Sequence, residues 1–325
     1  MNKSNINEEV SADSPVAVVS QSPVTLLAPN REHELQVRVS VPVMGSNLPV
    51  IIFSHGFGSS MDAYAPLVNY WAARGFIVIQ PTYLDSRKLS PNPKADHGEA
   101  VKAYLEDPRK PMMWRYRVQD MKLVLDQLGF IEDTVIGLQG RVDRNRIATA
   151  GHSFGAQTTA ILLGTRVINE DGSFSGDCSD SRVKAGVLLS AGGRGGDALS
   201  PFAKAHFPHL DQQYAQMTKP TFVVAGDQDK SPLTLLGPEW FTDAYYLSPG
   251  ANALLTLYDG EHMLGGISGY LVRETTDENP DRVAAVQHLT WAYLRTALYP
   301  EDPAWMEACA ELKNCQNPTG RVEVK

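Results

Sequence analysis

The residues best suited to chemistry are Gly151-His152-Ser153-Phe154-Gly155. They fit G-x-S-x-G, a turn that exposes a serine hydroxyl between a strand and a helix. Residues 146–150 before it are short and apolar enough for a buried strand, and 156–163 after it read as a helix. Gly151 and Gly155 are small enough to let the two backbones approach. A serine hydroxyl is a weak nucleophile unless three things surround it. A base must take its proton, a carboxylate must orient the base, and amides must receive the developing oxyanion.

Candidates for each follow in the chain order Ser, Asp, His that such a turn predicts. The apolar run 220–226 ends in Gly226 and leads into Asp227-Gln228-Asp229; the run 253–258 leads into Asp259-Gly260-Glu261-His262. Both groups therefore stand at the C-terminal ends of strands, where open α/β sheets carry their sites. His262 is the expected general base. His152 lies inside the turn with its side chain directed away from Ser153, and His55 is expected to brace a neighbouring loop. His33, His97, His206, His209 and His288 lack the strand-end setting. Asp227 and Asp229 are two residues apart, so in extended chain they point to opposite sides and only one can face His262. The apolar run 48–54 is followed by His55-Gly56-Phe57-Gly58-Ser59-Ser60. Glycines there free backbone amides, and the amides of Phe57 and Phe154 are the expected oxyanion donors.

Taken together, His55-Gly56-Phe57-Gly58, Gly151-His152-Ser153-Phe154-Gly155, Gly226-Asp227-Gln228-Asp229 and Gly260-Glu261-His262-Met263 resemble the α/β-hydrolase family. Over roughly residues 22–300 the spacing is most similar to the dienelactone-hydrolase, chlorophyllase and platelet-activating-factor-acetylhydrolase-like branch, and to cutinases. The resemblance implies an α/β fold with a mostly parallel sheet, helices on both faces and long loops or a lid over the C-terminal strand ends. It favours Asp229, three residues past the strand-ending Gly226, as the acid. It implies hydrolysis of a carboxylic ester, a lactone or other bulky ester included, through an acyl-enzyme, with a small-molecule ester as partner and no metal or organic cofactor. Dienelactone hydrolases use cysteine where this chain has Ser153, so their own chemistry is not implied. The alternatives are an amidase or peptidase on the same three residues and a non-catalytic binding protein on the same fold. A dehalogenase or epoxide hydrolase would want a carboxylate at position 153.

Alternating strands and helices must hold these residues in place. Strands are expected near 23–28, 34–42, 48–54, 76–79, 146–150, 183–189, 220–226 and 253–258. Tyr64, Leu67, Val68 and Trp71 share one helical stripe, and Trp114, Val118, Met121, Leu125 and Leu128 another. Asn279-Pro280-Asp281 reads as a helix start, with Val283, Val286, Leu289, Tyr293 and Leu294 facing the core. Three long stretches, 84–113, 192–217 and 263–279, interrupt the pattern, as lids and binding loops do. Tyr83 and Trp114 are candidates for the pocket wall beside Phe57 and Phe154, though the periodicity of Trp114 equally suits plain core.

Composition sets the outer bounds. A chain of 325 residues with 43% hydrophobic residues can bury one large core. We expect an N-terminal arm over 1–21 and a single domain over 22–325 with a helical extension at about 301–315. The net charge of −8 argues against nucleic-acid binding, and no apolar run is long enough for an integral membrane segment. The N-terminal stretch lacks the basic and apolar regions of a secretion signal, which favours the cytoplasm. A secreted or periplasmic protein is the alternative, if a leader has been removed or if Cys309 and Cys315 are bonded. Sequence leaves the oligomeric state open.

Overall fold

Leu48–Ser54 forms a strand, β3, that is buried along its whole length. A strand buried on both faces belongs inside a parallel sheet covered on both sides. Its side chains divide accordingly: Val50 and Ile52 enter one core cluster, Ile51 and Phe53 the other, as the alternation of a strand requires. The computed structural model describes residues 15–29, 31–169 and 171–325.

In chain order the strands are β1 (Val18–Leu26), β2 (Leu35–Pro42), β3, β4 (Ile77–Pro81), β5 (Val142–His152), β6 (Arg166–Val167), β7 (Val183–Leu189), β8 (Gln212–Gln213), β9 (Thr221–Gly226), β10 (Ala251–Leu257) and β11 (Gly320–Val324). The helices are α1 (Ala65–Ala73), α2 (His97–Glu106), α3 (Met113–Asp126), α4 (Leu128–Thr134), α5 (Phe154–Leu163), α6 (Pro201–His206), α7 (Asp243–Leu247), α8 (Pro280–Leu298) and α9 (Ala304–Asn314). Nine strands form one sheet in the order β1-β2-β4-β3-β5-β7-β9-β10-β11. It is parallel from β4 through β10 and antiparallel at β1/β2, β2/β4 and β10/β11. Helices α3 and α5 pack on one face through Val118, Met121, Ile161 and Leu162. Helices α1, α8 and α9 cover the other through Leu67, Trp71, Leu289, Leu294 and Ala308. Asn279 caps α8 as expected, its side chain accepting from the amides of Asp281 and Arg282.

Three differences from the sequence reading have physical causes. Residues 1–14 of the expected arm lie outside the described residues, but 18–21 are not arm. They open β1, in register from Val18↔Pro42 to Gln21↔Val39. Val19 and Ser20 are exposed on the sheet edge and none of the four is buried, so the stretch carries no apolar alternation to betray the strand. The edge strand β11 was also missed; Val322 and Val324 alternate there, but over only five residues. The long stretches 84–113 and 192–217 carry short helices, α2 and α6 among them. Helix α2 is set by a capping box between Asp96 and Glu99 and buries only Ala100 and Tyr104, too little to produce a stripe. Cys178, Cys309 and Cys315 are free thiols, so Cys309 and Cys315 close no loop. Among the described residues no helix is long and apolar enough to cross a membrane.

Candidate active site

The elbow forms because two glycines remove two Cβ atoms. A Cβ on Gly155 would lie 2.0 Å from the carbonyl oxygen of Ser54, and one on Gly151 would lie 2.2 Å from that of Gly155. With both absent, α5 starts directly against the ends of β3 and β5. Ser153 takes the strain, with φ 57° and ψ −121°, a conformation that non-glycine residues hold only where the surroundings impose it. Its amide donates to the carbonyl of Leu189 at 2.9 Å.

The ends of β9 and β10 meet just as closely. A Cβ on Gly226 would fall 2.0 Å from the oxygen of Gly260. The amides of Asp227 and Gln228 donate to Leu257 and Gly260 at 3.0 and 2.9 Å. This stitching carries Asp229 under the loop that bears His262. Asp229 is fully buried, while Asp227 is half-buried and its carboxylate accepts the side-chain amide of Gln228. His262 Nδ1 stands 3.0 and 3.1 Å from the two Asp229 oxygens, and its Nε2 stands 2.9 Å from Ser153 Oγ. Because the carboxylate only accepts, Nδ1 carries the proton and Nε2 is free to accept from the serine hydroxyl. The imidazole is about one-third exposed, so the line opens to solvent at its serine end. The ring of Phe241 lies 5.7 Å away on one side.

The loop after β3 is held by a residue that sequence reasoning missed. Arg117, on α3, is wholly buried and donates to the carbonyl of His55 at 2.7 Å and of Gly56 at 3.3 Å. Asp85, whose side chain is also wholly buried, receives two more of its N–H groups at 2.6 and 2.9 Å and the amide of Gly58 at 3.3 Å. Burial alone would raise the Asp85 carboxyl; the Arg117 guanidinium outweighs it and holds the group below its usual range. A signal was available: Arg117 interrupts the apolar stripe of α3 between Trp114 and Val118. His55 braces the same loop, as expected. Its Nδ1 donates to the carbonyl of Gly56, and its Nε2 accepts from the amide of Tyr83. Burial, helped by the nearby Arg117, lowers its pKa to about 3, so it is neutral.

Within this loop the amides of Gly56, Gly58 and Ser59 are taken by Tyr64, Asp85 and Gly56. Neither the amide of Phe57 nor that of Phe154 finds an acceptor among the described residues. Their side chains join an apolar cluster with Leu84, Tyr104, Met113 and Phe207. Tyr104 of α2 meets Phe57 edge-on at 5.1 Å and stacks on Phe207, just beyond α6, at 5.9 Å. Two of the three long stretches thus contribute to one aromatic wall that includes Phe154, the residue after Ser153.

Of the two expected pocket residues, Tyr83 is buried under the loop and Trp114 is largely core with one edge at a cleft. Tyr83 is wholly buried, donates to Ser54 Oγ at 2.9 Å and lies under the Arg117 guanidinium; it supports the loop from below. Trp114 is only 4% exposed and packs in the core. Its outer edge reaches a cleft of about 430 Å³ that is lined also by Arg115, Val167 and His209.

A parallel sheet with antiparallel edges and an elbow serine at the end of β5 define a class. The chain belongs to the alpha/beta hydrolase family, whose model matches residues 51–313. It is 25% identical over 217 residues to platelet-activating factor acetylhydrolase of Bos taurus, and 24% identical over 209 residues to that of Cavia porcellus. The matches take in 59% and 58% of this chain and 43% and 42% of those proteins, so the chain spans less than half the length of these relatives.

Proposed function

We propose that this protein is a serine hydrolase of carboxylic esters, with Ser153 as nucleophile, His262 as general base and Asp229 as the orienting acid. The observation that carries the reading is the unbroken line from Ser153 Oγ through His262 to a buried Asp229, at 2.9 and 3.0 Å. Ser153 Oγ attacks the ester carbonyl as its proton passes to His262 Nε2. The amides of Phe57 and Phe154 receive the oxyanion. His262 then protonates the departing alkoxide, and the acyl group stays on Ser153. Water, deprotonated by the same imidazole, attacks the acyl-enzyme and frees the acid. Asp229 keeps the proton on Nδ1 throughout and stabilises the imidazolium without taking that proton.

The substrate reading is drawn from the relatives. They are named for removing an acetyl group from platelet-activating factor, so a short acyl group is our first choice for the acid side of the ester. The aromatic cluster of Phe57, Tyr104 and Phe207 supports this, because it includes the side chains of both proposed oxyanion donors, Phe57 and Phe154. The test is labelling with a fluorophosphonate probe, wild type beside Ser153→Ala, followed by p-nitrophenyl esters of increasing acyl length and matching anilides. Labelling of the wild type alone, with acetate the best ester, is expected. Absence of labelling on folded wild type sinks the hydrolase reading, and a preference for anilides replaces it with an amidase.

A further inference from the structure

The elbow residue before the nucleophile is a histidine that takes no part in the chemistry above, yet both its ring nitrogens are used. His152 Nε2 lies 2.7 Å from the carbonyl oxygen of His262. That oxygen only accepts, so Nε2 carries the proton. Burial, reinforced by the neighbouring His262 imidazole, lowers the His152 pKa to about 3, so the ring is neutral and its Nδ1 is an acceptor. Tyr64 Oη, 2.9 Å away, must therefore donate to Nδ1. The same oxygen then accepts from the amide of Gly56 at 3.1 Å. The direction of every hydrogen bond is fixed: Gly56 N–H to Tyr64, Tyr64 O–H to His152, His152 Nε2–H to the backbone of His262.

This chain of bonds joins two separate loops, the one that presents the Phe57 amide and the one that presents the His262 imidazole. Three further observations mark it as built. Tyr64 is 2% exposed and sits in the left-handed region at φ 65°, a strained place for a tyrosine. Its own amide donates to the carbonyl of Ser268 at 2.9 Å, which holds the far side of the His262 loop. Gly56 has no room for a side chain, because a Cβ there would lie 2.9 Å from Tyr64 Oη and 3.2 Å from His152 Nδ1.

We infer that Tyr64 and His152 are positioning residues that lock the oxyanion loop and the base loop into one geometry. The inference rests on the hydrolase reading above. Neither residue hydrogen-bonds Ser153 or the His262 ring, although the His152 ring packs 5.0 Å from the His262 ring, and their effect is on where Phe57 N–H and His262 Nε2 stand relative to Ser153.

The experiment compares Tyr64→Phe, His152→Gln and His152→Leu with wild type, using p-nitrophenyl acetate turnover, fluorophosphonate labelling rate and thermal unfolding. Tyr64→Phe deletes one oxygen and keeps the ring. Since a displacement of about 1 Å can cost roughly 100-fold in rate, we expect kcat to fall about 10- to 100-fold with KM changed less than about threefold. His152→Gln keeps one acceptor and one donor, so it should turn over at least about tenfold faster than His152→Leu. Wild-type kcat in Tyr64→Phe overturns the inference, as does equal impairment of the Gln and Leu variants. So does a rate loss that only mirrors the loss of folded protein at the assay temperature. Tyr64→Phe carries the test alone if His152→Leu does not fold. An unlabelled wild type or an active Ser153→Ala removes the hydrolase reading itself, whereas labelled wild type with equally fast Tyr64→Phe removes only this inference.

Discussion

Asp85 and Arg117 form a bidentate ion pair, 2.6 and 2.9 Å, with neither side chain reaching solvent. The pair supports the carbonyls of His55 and Gly56 and the amide of Gly58, so it sets the loop that presents Phe57. Removing one partner of such a pair leaves a buried charge and costs about 3–5 kcal/mol. Asp85→Asn should therefore destabilise the protein by that order in urea unfolding. Arg117→Lys keeps the charge but loses the fork that reaches two carbonyls and a carboxylate at once. At a temperature where it is folded, its kcat should fall with KM little changed. A fully active Arg117→Lys would show that the loop holds its shape without the clamp.

The two aspartates after β9 make opposite forecasts. Asp229 is buried against His262 Nδ1, while the Asp227 carboxylate accepts the side-chain amide of its neighbour Gln228. Asp229→Asn can offer its amide N–H toward Nδ1 and so favours the wrong imidazole tautomer, a change that can cost about 10⁴ in kcat. Asp227→Asn should stay within about threefold of wild type, as surface changes away from a site do. Measuring kcat for both on one ester decides it; the reverse pattern would move the acid to Asp227.

The aromatic wall predicts a change of preference. Tyr104 and Phe207 stack on one another beside Phe57 and come from different inserted segments. Tyr104→Ala or Phe207→Ala should open room next to Ser153. Each buried methylene is worth about 0.8 kcal/mol, so the ratio of octanoate to acetate kcat/KM should rise on the order of tenfold or more. An unchanged ratio in both variants would place the acyl chain elsewhere, with the cleft by Trp114 and His209 the next surface to probe.

What sequence could and could not reveal follows from how each feature is encoded. The elbow, the strand-end position of Asp227-Gln228-Asp229 and of His262, and the strand β3 with both faces buried depend on short local patterns, and each stands where those patterns put it; the choice of Asp229 over Asp227 rests on the family resemblance. The Arg117–Asp85 clamp and the Tyr64–His152 link join residues 32 and 88 positions apart. No local spacing carries such pairs; only an odd residue in the wrong stripe, Arg117, betrays one of them. An aromatic ring suits a pocket wall or the core equally: Tyr83 is wholly buried, while Trp114 packs in the core and still reaches a cleft with its outer edge. Helix α2 escaped notice because it buries two side chains and is defined by its cap alone.

Acid should destabilise this protein through its buried histidines, with Asp120 among the groups that oppose them. His55, His152 and His209 are each lowered to about 3 by burial, with nearby Arg117 contributing at His55 and His209 and His262 at His152. An unfolded histidine titrates near about 6.5. Between these values the unfolded chain binds protons that the folded one refuses, so stability falls as pH drops from about 6.5 toward about 3. Asp120 has the opposite sign. Burial raises it to about 6 despite its pairing with Arg31, so from pH 6 down toward 4 the folded state holds the extra proton and gains stability. Near pH 5 these four groups together leave a net of about two protons, a slope on the order of 3 kcal/mol per pH unit. His209→Gln should lower that slope by about one proton and Asp120→Asn should steepen it by about one. Urea unfolding of the three proteins at pH 4.5, 5.0 and 5.5 measures both. Equal slopes in all three would mean that these side chains titrate alike in the folded and unfolded chains, and that their burial is looser than the packing around Phe154 and Arg31 implies.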